Sequence, residues 1–146
     1  MKDYFSQKHL ILFFFDQRLT GLVRKDKNND LTMLVAMLNS ILGIFYIEAI
    51  GFGRGLGVLD LNKNKVEKRF RILNPKLISE ADKAQIIDLY KKLELRDVKP
   101  LRKELEQVDR INFDKAVLKA FGLETYYDKI KMSLLQLFNI RKAVSR

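Results

Sequence analysis

The chain has 146 residues and a mass of 17.1 kDa, room for one ordinary domain, and 47% of it is hydrophobic, enough for a core. The absence of cysteine excludes disulfides, thiolate metal sites and thiol catalysis. Lys and Arg total 28 against 18 Asp and Glu, a net charge of +10, which suits a polyanion such as nucleic acid, with a solvated basic surface as the plainer alternative.

At the N-terminus, Met1-Lys2-Asp3 carries an acid and the next apolar run is interrupted by Asp16, a poor match to a secretory signal. The cytoplasm is the expected location. His9–Phe15, HLILFFF, reads as a buried strand, and Leu19–Val23 as a second one before the polar stretch 24–30. His9 is the sole histidine and borders an apolar run, where a structural role is favoured over general-base chemistry.

The organising stretch is Leu31–Leu61, LTMLVAMLNSILGIFYIEAIGFGRGLGVLDL. Its first 20 residues are almost free of charge, long enough for a membrane span, but Glu48 lies inside the run and Asn39-Ser40 at its middle. A buried helix is the preferred reading, with Asn28-Asn29-Asp30 offering N-cap side chains and Gly51 a stop. No membrane association is expected. Phe45–Glu48 followed by Gly51-x-Gly53 superficially resembles a nucleotide or S-adenosylmethionine loop, which would need a strand before it and a helix after it. Helical periodicity precedes this loop and the polar turn 62–65 follows it. The alternating Gly51, Gly53, Gly55 and Gly57 therefore suggest a close backbone approach.

From Lys68 to Leu73 the pattern has period two, predicting a strand with Phe70 and Ile72 on one face and Arg69 and Arg71 on the other. Together with Arg54 from the glycine loop and Lys63, Lys65 and Lys68, these arginines form the candidate phosphate-binding set. Downstream, Ser79 caps a helix whose apolar face is Ile86, Leu89, Tyr90 and Leu93. Pro100 opens a short helix carrying Leu101, Leu105 and Val108, and a further helix over about 110–121 stops at Gly122. Thr125 is expected to cap a last helix with Ile130, Leu134, Leu137 and Phe138 inward. The acids Glu104, Glu106, Asp109 and Asp114 lie among lysines and arginines, and read as solvated i,i+4 pairs rather than a metal or acid–base site.

Two segments resemble a known family. LNSILGIFYIEAIGFGRGLGVLDLNKNKVEKRFRILNP, with its Leu38-Asn39-Ser40 step and Asn74-Pro75 exit, is similar to the target-recognition (specificity) region of TaqI-like adenine-N6 DNA methyltransferases of restriction–modification systems. Asp109-Arg110, Phe113–Leu118, Phe121-Gly122-Leu123 and the run up to Arg141–Ser145 resemble the C-terminal helices of the same enzymes, in the same order. The resemblance implies an α+β fold: small N-terminal strands around a buried apolar helix, then a helical module. It divides the chain into a partial target-recognition domain over 1–76 and a helical module over 77–146, with Met1 entering a domain already under way. Full-length members use S-adenosylmethionine and an Asn-Pro-Pro-Tyr motif to hold the extruded base. The two prolines here, Pro75 and Pro100, are not adjacent. The expectation is therefore a non-catalytic fragment with no cofactor of its own. It would meet double-stranded DNA, and a catalytic methyltransferase domain or subunit would supply the chemistry. The rival expectation is a structural or interaction module that packs on a methyltransferase or endonuclease without touching DNA.

Overall fold

Between Asp30 and Gly51 the chain forms two helices where one was expected. The structure, a computed structural model, describes residues 30–54 and 58–144. Helix α1 spans Leu31–Asn39, capped by Asp30, whose carboxylate accepts from the amides of Thr32 and Met33; α2 spans Ile41–Ile50 and stops at Gly51. They meet at 66° across Ser40. Among the described residues no single helix is long and apolar enough to cross a membrane; this bent pair passes only when its two halves are taken together.

After α2 come two short antiparallel strands, β1 (Phe52–Arg54) and β2 (Val58–Asp60), with Phe52 opposite Asp60. Gly51 lies close against the Leu59 side chain, so a Cβ there would come within 2.5 Å of it. Helix α3 covers Lys63–Arg69, and a 3-10 turn at Pro75–Leu77 leads to α4 (Glu80–Glu94), which Ser79 caps as expected. Next are α5 (Leu101–Glu104), α6 (Val108–Ala120), a 3-10 turn at Glu124–Tyr126 and α7 (Tyr127–Val144). The strands expected at 9–15 and 19–23 fall outside the described residues. What is described is mostly helical, with this one hairpin.

Two apolar clusters hold the helices together, and α6 is the wall between them. The first joins Met33, Ala36 and Met37 of α1 to Ile86 and Tyr90 of α4 and Phe113 and Val117 of α6. The second joins Ile41 of α2 to Leu118 of α6 and Tyr127 and Leu134 of α7, with Leu105 between them. The bend at Ser40 sends α1 into the first cluster and α2 into the second. Both clusters draw residues from before and after residue 76. Glu48, the acid inside the apolar run, is paired with Arg141 of α7 (Oε2 to Nη2, 3.1 Å), which fixes α2 to the last helix.

Details of the helical half depart from the sequence reading. Leu105 is fully buried, but Val108 is 73% exposed because the chain breaks between α5 and α6 and turns it outward. Thr125 lies in the 3-10 turn and does not cap α7. Gly122, at φ 69°, is the left-handed stop after α6 that the sequence indicates.

The break at Ser40 is stabilised from α6. In an unbroken helix the Ile41 amide would donate to the Met37 carbonyl, and the Gly43 amide to the Asn39 carbonyl. Here the Ile41 amide donates to Asp114 Oδ1 at 2.8 Å and the Gly43 amide to Ser40 Oγ at 3.2 Å, while the Asn39 carbonyl accepts from Arg110 Nη2. Ser40 turns its own N–H and hydroxyl to the Met37 carbonyl. Four of the backbone groups that the helix break releases, the Met37 and Asn39 carbonyls and the Ile41 and Gly43 amides, thus find partners. Arg110 and Asp114 are joined by two bonds, Nε to Oδ2 at 2.8 Å and Nη2 to Oδ1 at 2.9 Å. Asp114 is 0% exposed and Arg110 5%, so this pair is deeply buried and not the solvated i,i+4 pair expected.

Burial pushes the Asp114 carboxyl up to about 6, against the opposing pull of Arg110 and the Ile41 amide. A carboxyl raised on folding stabilises most below its unfolded value and loses that contribution as pH rises through its folded value. The rise from 3.8 to about 6 corresponds to about 3 kcal/mol, at about 1.4 kcal/mol for each pH unit. Denaturant titrations between pH 4 and pH 6 should show the wild type losing stability relative to the Asp114→Asn variant as pH rises, the opposite trend from Glu104 and Asp109 being common to both proteins. Equal slopes in the two proteins would contradict the assignment.

Candidate nucleic-acid interface

The six residues singled out from the sequence occupy one stretch of chain on two different elements. Arg54 ends β1 and Lys63 opens α3; Lys65, Lys68 and Arg69 belong to α3, and Arg71 follows it. The strand expected at 68–73 is therefore corrected. Asn62 accepts from the Asn64 amide at 2.9 Å and caps α3, so the supposed polar turn at 62–65 is a helix start. Residues 70–74 have no regular secondary structure, with extended backbone at Phe70 and Asn74, and they join no sheet among the described residues. Arg69 and Arg71 consequently do not share a strand face.

The arrangement that replaces it still concentrates positive charge. Residues 61–79 hold six basic residues and one acid, Glu67. Lys68 and Arg69 lie in the last turn of α3, where a cation complements the helix dipole, and both are exposed. Arg71 folds back on the same helix end: Nη1 donates to the Phe70 carbonyl at 2.8 Å and Nη2 to the Lys68 carbonyl at 3.0 Å. Its charge is held in place by backbone, and no ion pair with an acid is seen for it among the described residues. Three cations thus stand around one helix terminus.

In the helical half the arginines serve the fold. Arg96 bridges Glu104 (2.8 Å) and Asp109 (2.6 Å), tying the α4–α5 connection to α5 and α6. Hydrogen bonds from Arg96 hold both carboxyls below their usual range, with burial opposing. Arg110 and Arg141 are held by Asp114 and Glu48. Among the surface lysines, Lys83 pairs with Glu80 and Lys92 with Asp88. The charge of this half is therefore more locally balanced than that of residues 61–79.

Among the described residues, no three of His, Cys, Asp and Glu converge as a metal site would require. Sequence reasoning missed the Arg110–Asp114 joint, whose partners in α1 and α2 lie more than 70 residues away. It also missed a cleft of about 510 Å³ between α2, residues 71–73 and the start of α7. Comparisons with protein-family models, curated proteins and solved structures return no match.

Proposed function

We propose that this chain is a non-catalytic module that contacts double-stranded DNA, corresponding to the target-recognition portion of an adenine-specific DNA methyltransferase and acting in the cytoplasm. The observation that carries the DNA contact is the concentration of cations at the end of α3, with Lys68 and Arg69 exposed and Arg71 braced beside them. Such a group neutralises phosphates and releases counterions, giving affinity with little sequence preference. The methyltransferase context rests on the sequence resemblance, in which a partner domain extrudes and methylates the adenine.

The test is a fluorescence-anisotropy titration of a labelled duplex across a range of salt concentrations. Lys68→Ala with Arg69→Ala should flatten the dependence of log affinity on log salt by about two, one for each lost phosphate contact. Both side chains are exposed, so circular dichroism should not change. Lys91→Ala with Lys103→Ala should flatten it less; the reverse order would move the interface to the helical half.

One observation favours the second reading, an interaction module that does not touch DNA. Leu95 is 86% and Val98 83% exposed, and Arg96 ties their loop to Asp109, the neighbour of the exposed Val108. Exposed apolar groups gathered in this way are a common mark of a protein-binding surface. Failure to bind duplex DNA even at low salt would select this reading.

A further inference from the structure

We infer that the cleft between α2 and α7 is a binding site for an amphipathic monoanion, an aliphatic chain headed by a carboxylate. Its volume, about 510 Å³, falls within the range of small-molecule sites. Leu42 and Phe45 of α2, Leu73, Leu123 and Ile130 make most of its lining apolar. Ser40 also faces it, but its hydroxyl already donates to the Met37 carbonyl and accepts from the Gly43 amide. A lining that is mostly apolar suits a hydrocarbon chain, which needs no hydrogen-bond partners there.

The charge of the cleft selects the head group. Arg71 enters from the segment after α3 and Lys129 from the first turns of α7, so the cations come from separate elements. Among the described residues no Asp or Glu lines the cleft. The Arg71 guanidinium is already oriented by two backbone carbonyls, and Lys129 is exposed. A carboxylate at the mouth would meet both charges, with Tyr46, Tyr126 and Ser133 also among the lining residues, while its chain occupied the apolar interior. A cationic amphiphile would fit the same interior and be repelled at the mouth. This site is independent of the DNA reading, and Arg71 is the one residue the two share.

Isothermal titration of the full chain, below the critical micelle concentration, tests the inference with dodecanoate and with dodecyltrimethylammonium, which have the same chain length and opposite charge. Dodecanoate should bind with one site per chain and at least about tenfold more tightly than the cation. Lys129→Glu should weaken dodecanoate at least about tenfold and narrow the difference between the probes. Ser133→Phe, which fills the cleft, should remove saturable binding of both. Equal affinities for the two probes, several ligands per chain, an unchanged affinity in Lys129→Glu, or no binding of dodecanoate to the folded chain would each overturn it.

Discussion

Replacing Arg110 with alanine should cost about 3–5 kcal/mol, the usual loss when one partner of a buried ion pair is removed. Against a total stability of about 5–15 kcal/mol for a domain of this kind, the variant would stand near the unfolding threshold. Asp114, with no exposed surface, would lose the counter-ion that draws its carboxyl down and would have to ionise unpaired or take up a proton, and the Asn39 carbonyl would lose its donor. The loss should be smaller at pH 5 than at pH 7, because Asp114 can then take a proton and need no partner. Urea denaturation at the two pH values measures this. The double replacement Arg110→Met with Asp114→Leu distinguishes an ordinary ion pair from a capping pair. Apolar replacement of an ordinary buried pair is often neutral or stabilising. Here it would leave the Ile41 amide unsatisfied as well, at about 1–3 kcal/mol for each orphaned group, so recovery should be incomplete.

The second large effect is expected at Gly43, in the first turn of α2. Glycine to alanine in a helix normally stabilises by about 0.5–1 kcal/mol. At this position a Cβ would stand 2.4 Å from the Leu38 carbonyl oxygen and 2.5 Å from that of Met37, both backbone atoms of α1. They cannot rotate away as a side chain can, so the 66° bend itself would have to open. Opening it would pull α1 and α2 out of their separate clusters. Gly43→Ala should therefore destabilise by about 3 kcal/mol, the upper part of the range for overpacked sites. A melting temperature equal to or above that of the wild type would show that the joint is more compliant than its geometry indicates.

The same joint shows where the sequence could be read and where it could not. Asp30, Ser79 and Gly122 declare their roles locally: two cap helices with their own side chains, and one takes the left-handed conformation that glycine accepts. The inward positions of α4 follow from spacing alone, with Ile86 and Tyr90 buried. Ser40 is different. Its hydroxyl caps α2 locally, but the partners of the Ile41 amide and the Asn39 carbonyl come from α6, more than 70 residues away, and no local pattern announces them. The buried state of Asp114 was hidden for the same reason, because an Arg and an Asp four residues apart look alike on a solvated face and inside a core. At 68–73 the alternation spans only six residues, too short to separate a strand from a helix end followed by irregular chain. The Asn62 cap shifted the balance to helix. The candidate basic residues were still legible as a set, because charge concentration depends on composition and not on which element carries it.

The most direct test of the DNA-contact proposal is the map of backbone amide shifts when an isotope-labelled full chain is titrated with a short duplex at low salt. The largest changes should fall on residues 63–76, centred on Lys68, Arg69 and Arg71, and fade as salt is raised. Changes centred instead on Leu95, Val98 and Val108, or spread evenly over the helical lysines, would contradict it.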